Sequence, residues 1–147
     1  MVQDTSTAAW AALLRVHAAL VPVLDRELQA AHGLPLTWYD VLLELNAAPD
    51  RRLSMGELGA VAVVSRTRVS RVVDELVAAG LVAREVNPRD RRSAYAAITD
   101  AGRARLRAAA PTYLDGIRRH FTAQMTEREA QVVATGLGKV LAALRAG

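Results

Sequence analysis

The sequence predicts a mainly α-helical chain of the α+β class: a helix-turn-helix followed by a two-stranded wing, with long amphipathic helices at both ends. Three observations predict it. Apolar residues recur at three- and four-residue intervals through most of the 147 residues, the period of an α-helix with one buried side. Ser54-Met55-Gly56-Glu57 and Ser65 are helix-start signals that leave a connection of about three residues between two short helices, the length found in a helix-turn-helix. Beyond Gly80, LVAREV and SAYAAI read as short strands around NPRDRR, a turn rich in Asn, Pro and Asp.

Each element has a local reason. From Thr7, the positions Trp10, Leu13, Leu14, His17, Leu20, Val21, Leu24 and Leu28 form one face of a helix that ends near Ala31 to Gly33. Pro22 is expected to bend this helix without ending it, because the same face continues beyond it. Thr37 with Asp40 resembles a capping arrangement for a second helix, with Tyr39, Leu42, Leu43 and Leu45 on its apolar side and a stop at Pro49. Ser54 and Glu57 form a capping box for a short helix carrying Leu58, Val61 and Ala62. The next helix has a core stripe of Val69, Val72, Val73, Leu76 and Val77, and Gly80 suits its left-handed end. Thr99 and Asp100 open a helix with Leu106, Ala110, Tyr113, Leu114, Ile117 and Phe121 on one face and an expected kink at Pro111. Thr126 and Glu129 cap a last helix carrying Val133, Leu137, Val140, Leu141 and Leu144. Gly136 and Gly138 weaken it by about 1 kcal/mol each relative to alanine.

Composition narrows the function. A hydrophobic content of 52% and a mean hydropathy of +0.12 suit one soluble domain. No run of about 18 uninterrupted apolar residues exists, and MVQDTSTAAW lacks the pattern of a signal peptide, so a cytoplasmic protein with no membrane partner is expected. The absence of cysteine excludes disulfides, thiolate metal sites and thiol-based redox sensing. The net charge of +4 is mild, but its distribution is uneven. Between Val64 and Arg92, seven arginines face Asp74, Glu75, Glu85 and Asp90.

That basic segment points to duplex DNA. The major groove is about 12 Å wide and admits an α-helix that is apolar behind and polar in front. The helix from Ser65 has this division, with Ser65, Arg66, Thr67, Arg68, Ser70 and Arg71 available to phosphates and base edges. Arg89, Arg91 and Arg92 on a thin loop suit the narrow minor groove, where the negative potential is enhanced. Asp90 is expected to hold the Arg92 guanidinium in a bidentate pair.

Ser70-Arg71-Val72-Val73-Asp74-Glu75-Leu76, Gly80-Leu81-Val82, Asp90 with Arg92, and Ile98-Thr99 with Gly102 resemble the signature of the MarR family of bacterial winged-helix transcription regulators. Isoleucine at 98 in place of leucine is the one departure, and helix order agrees over nearly the whole chain. The resemblance implies one domain spanning residues 1–147, in which 37–99 form a winged helix-turn-helix lobe while 7–33 and 100–145 form a dimerisation bundle. It implies a homodimer on a pseudopalindromic operator, acting in the bacterial cytoplasm as a repressor and released by a small aromatic or phenolic effector. The terminal helices support pairing independently, since a monomer would expose a sizeable apolar patch.

Trp10, His17, Trp38, Tyr39 and Tyr113 are the effector-binding candidates, each also suited to plain core or interface. His17, His32 and His120 lie in three separate segments without metal-ligand spacing, so neither a metal nor another cofactor is expected. Ser65, Ser70, His17, Asp40 and Asp90 carry no catalytic signature, and no glycine-rich phosphate loop follows a strand, which argues against an enzyme. A winged-helix protein-interaction module and a ligand-independent DNA-binding regulator are the alternatives; the first would tolerate neutral residues in place of Arg71 and Arg92.

Overall fold

The computed structural model describes residues 4–63 and 66–147 and, within them, all side chains except those of Arg66 and Thr67. The helices are α1 (Thr5–His32), α2 (Leu36–Ala47), α3 (Met55–Val61), α4 (Arg66–Ala78), α5 (Asp100–His120) and α6 (Glu127–Ala146). The strands are β1 (Arg52–Ser54), β2 (Val82–Val86) and β3 (Ala94–Ile98). β2 and β3 pair antiparallel as the wing, with Val82 opposite Ile98 and Val86 opposite Ala94. The short β1 adds a third strand on the far edge of β3, with Leu53 opposite Ala96. No periodicity announces β1, because a strand of three residues ending at the Ser54 cap is too short to show one.

Both capping boxes form. Ser54 Oγ accepts the Glu57 N–H at 3.1 Å and Glu57 accepts the Ser54 N–H; Thr126 and Glu129 make the same exchange. The expected Thr37–Asp40 cap does not form. Pro35 is the N-cap of α2 and has no side-chain cap bond, and the free Leu36 N–H donates instead to Asp25 Oδ1 of α1 at 2.8 Å. A carboxylate from a neighbouring helix has satisfied the orphan donor, leaving Asp40 for another role.

The core is built on α2. Tyr39, Val41, Leu42 and Leu45 are buried among Leu28 and Leu34, the inner face of α4 (Val69, Val72, Val73 and Leu76), the wing strands and Leu106 and Ala109 of α5. Leu43, Val77 and Leu114, placed on apolar faces by periodicity, stand exposed. α1 and α5 run continuously through Pro22 and Pro111 and pack on each other. Glu27 of α1 clasps α5 there: it accepts from Arg119 Nη2 at 2.8 Å and bonds His120 Nε2 at 3.1 Å. Burial raises the Glu27 pKa, but the hydrogen bonds from His120 and Arg119 outweigh it and hold the carboxyl below its ordinary value.

Two glycines are required by geometry. Gly80 ends α4 at φ 77°, with its own N–H on Val77 O and the Leu81 N–H on Leu76 O, the paired bonds of a Schellman motif. Gly102 lies in the first turn of α5, where a Cβ would run into the carbonyl oxygen of Leu81 and come within 2.8 Å of Ile98 Cγ1. The obstruction on one side is backbone and cannot rotate away. Gly102→Ala is therefore expected to cost about 3 kcal/mol of unfolding free energy in urea denaturation; an alanine variant of unchanged stability would contradict this packing.

α1 is long and apolar enough, by length and composition, to cross a membrane, with a window of mean hydropathy 1.5. Its apolar residues also make a packing face. Leu24 and Leu28 are buried, whereas Trp10 (60%), Leu13, Leu14 and Val16 are exposed. α6 buries none of its residues; Val132, Val140 and Leu144 (74%) stand open to solvent.

Candidate nucleic-acid interface

α4 divides as its sequence requires. Val69, Val72, Val73 and Leu76 anchor it in the core, while Arg68, Ser70, Arg71 and Asp74 are exposed on the opposite side. Ser65 lies outside the described residues, as do the side chains of Arg66 and Thr67. The outer face is not uniformly basic. Arg84 of β2 pairs with Asp74, and Arg71, whose side chain is 84% exposed, has its Nε 3.7 Å from Glu75 Oε1. Glu75 also accepts a hydrogen bond from Trp38 Nε1 at 2.8 Å. Sequence reasoning missed Glu75 and Arg84 as organisers of this face because their partners come from other elements or compete with solvent.

The wing tip is held by its two Asx residues. Asn87, the one buried polar residue among those described, accepts the Arg89 N–H on Oδ1 at 3.0 Å and the Asp90 N–H on its carbonyl. Asp90 Oδ1 accepts the Arg92 N–H at 3.0 Å, and its carbonyl accepts the Ser93 N–H. The expected Asp90–Arg92 guanidinium pair is thus corrected: a short carboxylate reaches the amide two residues on more easily than the end of a long side chain. Arg89, Arg91 and Arg92 stay exposed on a loop whose backbone is fixed. A cleft of about 580 Å³ lies between α3, α4 and the wing base, and Ser70, Arg84, Arg92 and Ser93 line it. It brings Ser70 of the helix and Arg92 of the wing to one concavity.

The other candidates lie in two places. Tyr39 of α2 and Tyr113 of α5 pack ring on ring, with centroids 4.6 Å apart and planes at 44°. Burial raises both phenol pKa values, helped at Tyr113 by the charge of Asp40. Trp38 flanks the core and is tied to α4 through Glu75. Trp10 and His17 instead sit on the exposed stretch of α1. His32 bonds Thr112 and His120 bonds Glu27. Among the described residues, no three His, Asp or Glu side chains gather as metal ligands do.

The family model described as MarR family matches residues 32–93. The crystal structure of Sco3205, a MarR family transcriptional regulator from Streptomyces coelicolor in complex with DNA, is 31% identical; the alignment covers 96% of this chain and 89% of that one, with a TM-score of 0.84. This chain belongs to the MarR family. Two further MarR family regulators from the same organism are similar: AbsC at 28% identity, covering 100% of this chain and 99% of that one with a TM-score of 0.85, and Sco5413 at 27%, covering 97% and 96% with a TM-score of 0.80. A comparison with curated proteins gave no match.

The MarR family is one of transcriptional regulators, not enzymes, and its signature residues have physical tasks here. Thr99 Oγ1 donates to Gly80 O at 2.8 Å and accepts the Gly102 N–H at 3.0 Å. The hydroxyl thereby joins the end of α4 to the start of α5. Asp74 draws Arg84 across from β2, coupling the wing to α4.

Proposed function

We propose that this MarR-family chain is a sequence-specific double-stranded DNA-binding transcriptional regulator. It acts as a homodimeric repressor on a pseudopalindromic operator and is released by a small aromatic or phenolic effector. The observation that carries the reading is the shared concavity of Ser70 and Arg92, beside the exposed outer face of α4. A recognition helix of this kind enters the major groove while Arg89, Arg91 and Arg92 reach the adjacent minor groove. The DNA-bound state of Sco3205 supports the assignment. Residues 37–99 serve as the reading lobe, and 7–33 with 100–145 as the pairing bundle, for which the exposed apolar residues of α1 and α6 are the support. The effector is assigned to the Tyr39–Tyr113 boundary between α2 and α5, where the partly buried Tyr113 ring packs on the buried Tyr39 and an aromatic ligand would have to part or flank that pair. Trp38 packs against the same core, whereas Trp10 and His17 lie on the exposed stretch of α1.

The test is a mobility-shift assay on the duplex flanking the protein's own gene, repeated with a panel of phenolic and aromatic acids. The expected result is a shift that random-sequence competitor does not remove and that one class of acid abolishes. A shift no stronger than with random duplex would contradict the operator. A specific shift that every acid leaves intact would favour a ligand-independent regulator.

A further inference from the structure

Asp40 is a polar residue of α2 that does not cap its own helix. It is half-buried beside the core, and its Oδ2 accepts the backbone N–H of Val63 at 2.9 Å, a partner 23 residues away. Val63 lies in the connection between α3 and α4. Ala62, just before it, touches the core, but the Val63 side chain is 75% exposed. Apolar packing therefore does not hold the chain at this point, and the bond to Asp40 does. Three residues later the recognition helix begins.

We propose that Asp40 is a positioning residue for DNA recognition: its carboxylate pins the helix-turn-helix connection to α2 and so sets the direction in which α4 leaves it. The inference rests on the DNA-binding reading above. A helix aimed wrongly by a few degrees displaces its outer side chains by ångströms, enough to lose bidentate contacts to base edges. A charged acceptor suits the task, because an ionised carboxylate holds an amide more firmly than a neutral one does. The groups facing Asp40 are the Val63 amide, the Tyr113 phenol of α5 and the Glu44 carboxyl one turn along α2, which in turn faces Arg145 of α6. Burial pushes the Asp40 carboxyl above its ordinary range, and the Val63 N–H offsets this only in part. The charged form is consequently lost early on acidification, and the pin weakens as pH falls through that raised value.

The experiment selects a duplex from a random-sequence pool with the full-length wild-type protein. Affinity for that duplex is then measured for wild type, Asp40→Ala and Asp40→Asn from neutral to mildly acid pH. Asp40→Asn keeps an acceptor oxygen without a titrating proton; Asp40→Ala keeps neither. The expected result at neutral pH is a loss of about tenfold in Asp40→Ala and at most about threefold in Asp40→Asn. On acidification, wild type should lose affinity relative to Asp40→Asn. If the alanine variant does not unfold cooperatively, the comparison of wild type with asparagine across pH decides. A wild-type protein that enriches no duplex would overturn the DNA-binding reading. A wild type that selects its duplex, with alanine binding as tightly as asparagine or with parallel pH profiles for wild type and asparagine, would overturn the role of Asp40 alone.

Discussion

Arg92→Ala is expected to weaken operator binding by about tenfold to a hundredfold and to lower the slope of log affinity against log salt by about one. The loop that carries Arg92 is braced by Asn87 and Asp90 through backbone N–H groups, so binding has to order the arginine side chain but little of its backbone. None of the ion pairs among the described residues involves Arg92. Its charge is therefore available to a phosphate or a narrow minor groove without first breaking an internal pair. Arg84 differs, because Asp74 already engages it. Fluorescence anisotropy at several salt concentrations reads both quantities. An Arg92→Ala variant with wild-type affinity and slope would remove the wing from the interface.

Leu137→Asp combined with Leu141→Asp is expected to convert a dimer to a monomer and to reduce operator affinity by more than about a hundredfold. These side chains lie one turn apart on α6, exposed in the single chain with Val133 and Val140 beside them. The exposed end of α1, with Trp10, Leu13 and Leu14, adds further apolar surface. Covering such surface with a second copy removes it from water at about 25 cal/mol per Å², whereas two buried aspartates would oppose it by several kcal/mol. If, as proposed, each lobe reads half a site, losing the partner removes the avidity of a linked second contact, on the order of a hundredfold or more. Sedimentation equilibrium measures the first effect and anisotropy the second. A double variant that stays dimeric would place the interface elsewhere.

What could be read from sequence depended on how local the cause was. Gly80, the two capping boxes and the Thr99 start of α5 rest on residues within a few positions of one another, and they form as their spacing suggests. The wing strands were legible because turn residues separate two β-prone runs. The family signature between Ser70 and Gly102 added the function class and includes Arg71, Asp90 and Arg92. The errors involve distant partners or competing nearby ones. Asp25 caps α2 from α1, which no inspection of Thr37 and Asp40 can show. Asp90 faced two donors on the same residue, and loop geometry chose the amide. Leu43 and Val77 fit an apolar period yet point outward, because periodicity gives the width of a face but not which flank the core covers. The bond from Asp40 to Val63 leaves no sequence signal, since its acceptor is an ordinary helical aspartate and its donor is backbone.

Changing the spacing of a selected operator tests whether paired winged lobes read two half-sites. The two recognition helices of a dimer sit about one turn of DNA apart, roughly 34 Å. Inserting about five base pairs, half a turn, between the half-sites should abolish specific binding, and inserting a full turn should restore part of it. Affinity that ignores both insertions would contradict paired reading of two half-sites.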